Sequence, residues 1–151
     1  MKIKKLIEIL KEQKNNLNSL LKIVKEKQNV IVNNKLEKLP EYMNKEEKEL
    51  LEIQITEEKR LHIMQELFTE YKIKSERFKL EILIKELKDL TTETYIENIK
   101  TKEIEIKNLI KEITLKNQQN LMLVQQSSQI ISETVKAVID TSKRSIIDRK
   151  G

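Results

Sequence analysis

Few side chains in this chain could do chemistry, and their spacing narrows what that chemistry can be. The one histidine, His62, lies between Leu61 and Ile63, and no HxxxH or ExxH partner stands at metal-ligand spacing. Glu57 and Glu58 precede it by four and five positions, which allows a local ion pair and little else. Carboxylates recur at i,i+3 and i,i+4, but a thin helical protein offers nothing to bury them and so nothing to shift a pKa towards acid–base work. The only glycine is Gly151, so no glycine-rich loop can bring backbone amides against a phosphate. No catalytic residue, cofactor or metal is expected, and the chain reads as a non-enzyme. What remains is recognition chemistry. Four consecutive amides, Asn117-Gln118-Gln119-Asn120, open a stretch from Asn117 to Ser132 that holds no charged side chain, in a chain that is 36% charged.

Winding Leu121 to Ile139 at about 100° per residue gathers Gln125, Gln126, Gln129, Ser132, Glu133 and Lys136 on one narrow polar face, with Met122 intruding. Leu121, Val124, Ile131, Val135, Val138 and Ile139 form one apolar stripe; Leu123, Ile130 and Ala137 form a second. Asn120, Ser127, Ser128 and Thr134 fill the arc between them. The whole arc spans roughly 200°, where a bundle helix packed on one neighbour needs little more than about 100°. One stripe can serve the protein's own fold, which leaves the other for a partner.

The elements that must carry this face are helices. A single Gly, a single Pro and 3% aromatic residues leave a core of thin aliphatic seams, the composition of long helices and coiled coils. We expect an all-α fold of long antiparallel helices, a helical hairpin or bundle with coiled-coil-like seams and an extended C-terminal helix, as one domain over residues 1–151. Ile3, Leu6, Leu10, Gln13, Leu17, Leu20, Val24, Lys27 and Ile31 alternate spacings of three and four, so the first helix covers about 2–33. Asn33 and Asn34 end it, because Asn tolerates the left-handed conformation. Pro40 suits the first turn of a second helix, over about 40–90, that returns antiparallel. Its seam reads Met43, Leu50, Ile53, then after a slip near Glu57 and Glu58, Leu61, Met64, Phe68, Tyr71, Phe78 and Ile82. A break near 72–76 stays open, and would leave Ser75 as an N-cap. The threonines of Asp89–Thr94 punctuate the chain before a last helix over about 94–144, whose seam is Ile96, Ile99, Ile106, Ile110 and Ile113.

Without cysteine the chain offers no disulfide, which fits a reducing compartment. Its basic start, MKIKKLIEILKEQK, is interrupted by charge every few positions and precedes no cleavage-type site. No run approaches the roughly 18 to 20 apolar residues of a membrane span. A cytoplasmic protein without membrane insertion is expected. The formal charge of +5 comes from Lys interleaved with Glu at helical spacing, a solvated face rather than a nucleic-acid surface. Only Lys143, Arg144, Arg149 and Lys150 make a locally basic end, which suits a helix C-terminus.

Over most of its length the chain resembles the FlgN family of flagellar export chaperones. The likeness rests on the heptad first helix, on Glu47-Lys48-Glu49-Leu50-Leu51 as an E-K-x-x-L-L-like motif, and on Asn117-Gln118-Gln119-Asn120 followed by Leu121-Met122-Leu123-Val124-Gln125-Gln126. The resemblance implies a cytoplasmic type III secretion chaperone. It would bind the C-terminal helices of the hook–filament junction proteins, the hook-associated proteins FlgK and FlgL, hold them monomeric and deliver them to the export gate, with export ATPase components as further partners. It implies a cargo face of Asn117, Asn120, Leu121, Leu123, Val124, Ile130, Ile131, Val135 and Val138. The tyrosine that the family tends to carry near its end has Ile147 as its nearest counterpart, which lacks the hydroxyl. Two other readings compete: a homo-oligomeric coiled coil self-associating through the C-terminal helix, and a membrane-surface or nucleic-acid binder that uses the basic end instead of the aliphatic stripe.

Overall fold

A computed structural model of the chain describes residues 1–150, with side chains for 1–130 and 132–141. It is all-α: α1, Lys2–Val32; a 3₁₀ turn, Leu36–Lys38; α2, Leu39–Glu70; a short α3, Leu80–Leu87; and α4, Glu93–Lys150. The stretch expected as one second helix is thus two helices, separated at residues 71–79.

The seam of α1 is inside at eight of its nine positions: Ile3, Leu6, Leu10, Gln13, Leu17, Leu20, Val24 and Ile31 are buried. The ninth, Lys27, is half-buried and sends its ammonium to Glu46 Oε2 of α2 at 3.2 Å. Asn34 ends the helix at φ 57°. Its N–H bonds Ile31 O at 3.1 Å and the Lys35 N–H bonds Val30 O at 2.9 Å, the paired closure of a Schellman cap. Pro40 stands in the first turn of α2, where its missing N–H costs nothing.

Cross-helix pairs fix the directions. Lys2–Glu70, Gln13–Glu57 and Lys27–Glu46 run α2 antiparallel to α1. Lys14–Glu105, Lys25–Glu112 and Gln28–Gln119 run α4 parallel to α1. Between α2 and α4 the chain turns first at a second Schellman closure, with Lys72 at φ 55° and the Ile73 N–H on Phe68 O at 2.8 Å. Phe78 then comes back edge-on to Phe68, ring centroids 5.2 Å apart. Ser75 does not cap α3. It lies in this loop, where its Oγ accepts the Arg77 N–H at 3.2 Å, and α3 begins after an extended Lys79 that provides no side-chain cap.

α2 and α4 each pack along α1, and α3 fills the trough between them at one end. There Leu83 and Leu87 of α3 join Ile3, Leu6 and Leu10 of α1, Met64 and Leu67 of α2, and Ile96 and Ile99 of α4 in the main core. Farther along, a thinner core holds only Leu17, Leu20, Leu21, Val24 and Ile113. The seam expected for α2 needs correction on both sides of the slip. Met43, Leu50 and Leu61 are exposed, whereas Thr56, Ile63 and Leu67 are buried with Met64 and Phe68. Thr56 satisfies itself inside by donating to Glu52 O at 2.8 Å and accepting from Asn16 Nδ2 at 3.0 Å. On α4, Ile96, Ile99 and Ile113 are buried and Ile106 is half-buried, but Ile110 is exposed.

Candidate partner-binding surface

The uncharged stretch lies where α4 outlasts the bundle. α4 has 58 residues against 31 in α1. Its side towards α1 repeats every seven residues through Ile99, Ile106, Ile113 and Asn120. Asn120 is 1% exposed and donates through Nδ2 to Val24 O at 3.1 Å. Gln119 and Lys116 both bond the side chain of Gln28 nearby. Leu123, Val124 and Ser127 are half-buried, and from Ser128 to Thr141 every described side chain is exposed. Residues 128–141 therefore project as about 21 Å of helix at about 1.5 Å per residue.

The structure places the nine predicted residues in three settings. Asn120 is not part of an open face: it is buried against α1, where a polar group inside a seam fixes register at some expense of stability. Its Oδ1 is buried without a partner. Leu123 and Val124 flank that contact, half-buried. Asn117, Leu121, Ile130, Val135 and Val138 are exposed, and the Ile131 side chain lies outside the described residues, as do those of Lys143, Arg144, Ile147, Arg149 and Lys150. The surplus of apolar surface also differs in kind from expectation. Neither stripe is sealed by the protein's own helices. Asn120, from the arc between them, bonds α1, and from Ser128 to Thr141 the described residues of both stripes are exposed.

The polar residues within that apolar arc would not resist being covered. Thr134 donates to Ile130 O at 2.8 Å and Thr141 to Ala137 O at 2.9 Å, so each hydroxyl is satisfied within the helix. On the opposite side Gln129 Nε2 bonds Glu133 Oε1 at 3.3 Å, keeping the polar face together.

A second apolar surface escaped the sequence reading. A groove of about 550 Å³ opens between α2 and α4 just beyond the start of α3, floored by Leu10 and Leu17 and walled by Ile53, Ile106 and Ile110. Its rim carries Glu57, which accepts from Arg60 at 2.6 and 2.8 Å and from Gln13 at 2.6 Å. Those Arg60 hydrogen bonds hold the Glu57 carboxyl below its usual range, with the Arg60 charge and Gln13 helping, against a smaller opposing effect of burial. Lys107 bridges to Glu103 at 2.9 Å and to Glu81 of α3 at 3.1 Å, which raises its pKa. The half-exposed Met43 and Leu50 could have signalled this groove, since they extend the Ile53 side of α2 without a core to join. His62 does not line the groove and is solvent-exposed, 3.9 Å from Glu66 rather than paired with Glu57 or Glu58. Among the described residues no helix is long and apolar enough to cross a membrane.

A bundle whose last helix outruns its partners and stays aliphatic defines an all-α helical scaffold built around exposed helical surface. The family model described as FlgN protein matches residues 1–147. The chain therefore belongs to the FlgN family of flagellar export chaperones, a family of chaperones rather than enzymes. No curated protein and no solved structure matches it.

Proposed function

We propose that this chain is a cytoplasmic export chaperone. It binds the C-terminal helices of the hook–filament junction proteins FlgK and FlgL, keeps them from assembling early and passes them to the type III export apparatus. One observation carries the reading: Ile130, Val135, Val138 and Ile139 are exposed on the last helix, with no neighbour among the described residues to cover them. An amphipathic cargo helix laid along α4 would bury these with Leu121, Leu123, Val124 and Ile131, the helix-in-groove mode of recognition. Asn117 stands at the bundle end of this face, and Asn120 holds α4 in register on α1. Each fully buried Leu, Ile or Val contributes about 1.5 to 3 kcal/mol before ordering costs, so four or five support micromolar or tighter binding.

The test is a pair of measurements on Val135→Asp combined with Val138→Asp, at side chains 52% and 62% exposed. Binding to the C-terminal segment of the junction protein from the same genome should disappear. The thermal transition should stay within about 0.5 kcal/mol of the parent, as for exposed substitutions generally. Parallel loss of stability and binding would place these residues in a core instead. A stable homo-oligomer dispersed by the same substitutions, with no cargo affinity in the parent, would favour self-association.

A further inference from the structure

We infer that the cargo surface does not begin at the projecting helix but inside the bundle, in the vacant continuation of the seat that α3 occupies. This deepens the chaperone reading and rests on it. α3 shows what the trough between α2 and α4 accepts. It is an amphipathic helix, LEILIKEL, that buries Leu83 and Leu87 completely and turns Glu81 outward to Lys107. It has only eight residues, and where it starts the trough is open: Leu10 and Leu17 form the floor, with Ile53 on one wall and Ile106 and Ile110 on the other.

The occupant is an amphipathic helix of the secreted partner, with aliphatic residues at i, i+3 or i+4, and i+7, flanked by charges of both signs. A helix satisfies its own backbone in such a trough, and charges of both signs suit a rim of Glu57, Arg60, Glu103 and Lys107. Continuity selects the cargo over other helices. The groove wall of α4 passes from Ile110 through Asn117, Leu121 and Val124 to Val135 and Val138 in steps made of threes and fours, so one partner helix can follow groove and projection without changing face. Opposite it, Leu50 lies three residues before Ile53 and is 53% exposed, and Ile110 is 48% exposed.

Both positions tolerate change, so the test is Leu50→Lys combined with Ile110→Lys, titrated with the C-terminal helical segment of the junction protein. Ile104→Lys, on another exposed face of α4, is the control. Affinity should fall roughly tenfold or more in the double variant, as for loss of central apolar anchors, and stay unchanged in the control. Independently, Leu50→Cys in this cysteine-free chain can carry an environment-sensitive fluorophore, whose emission should shift to the blue when the segment is added. Unchanged affinity and emission, with binding still abolished by Val135→Asp, would overturn the groove and leave the chaperone reading standing. Absence of any binding by the parent chain would remove both. Light scattering that shows a dimer broken by the double variant would assign the groove to a second copy instead.

Discussion

Glu57 ties three elements together through one carboxylate. It accepts from Gln13 of α1 and Arg60 of α2, and Arg60 Nη1 reaches Phe78 O of the following loop at 3.5 Å. Because its folded pKa lies below the usual 4.5, the stability it contributes is fully present above the unfolded value. It is lost as pH falls through the lowered folded value. Glu57→Gln should therefore lower stability near neutrality by the about 1 kcal/mol or less that an ion pair this exposed is worth, and the urea midpoints of parent and variant should converge as pH falls below about 4.5. Identical acid slopes in parent and variant would show that the network does not titrate with folding. Asn120 is a different kind of polar residue. An amide at that point of an aliphatic seam looks in sequence like a recognition group, and the structure spends it on Val24 O. The difference lies in which side of α4 meets α1, which residue type alone does not encode.

The elements differ in how plainly the sequence announced them. α1 was legible throughout, because a helix packed on two neighbours along its length keeps one alternation of threes and fours, and its two polar positions, Gln13 and Lys27, bond Glu57 and Glu46 of α2. α2 was less so. Below Thr56 it borders an unfilled trough and above it α3, so its buried side widens to Ile63, Met64, Leu67 and Phe68, and a single heptad phase wrongly favoured Leu61. The end of α2 carried no glycine or proline to mark it. Lys72 adopts φ 55°, a conformation that costs a side chain with a Cβ about 1 to 2 kcal/mol. Lys72→Gly should consequently raise stability by about 0.5 to 1 kcal/mol, after the entropy glycine gives up on folding. The corresponding Asn34→Gly should gain less, because Asn already visits that region. Urea denaturation of the two variants measures the contrast, and an equal or reversed order would contradict it.

At the scale of the whole molecule, the decisive quantity is length rather than girth. Periodicity gave two apolar stripes on the last helix and suggested that one would be covered. It could not show that α1 would end at Val32 while α4 continued to Lys150, leaving the described residues of both stripes beyond Ser127 exposed. Under the proposed function that projection is what an export chaperone of this family would offer its cargo, since its described residues are exposed. The central claim is that residues 128–141 are bare in the free protein and sheltered by cargo. Amide hydrogen exchange on the full chain, with and without the C-terminal segment of the junction protein, tests it most directly. The account predicts rapid exchange at Ser128–Thr141 in the free chain, against slow exchange at Leu6–Leu10, and strong protection of the former once the segment is bound. Slow exchange at Ser128–Thr141 in the free, dilute chain, unaltered by the segment, would contradict it.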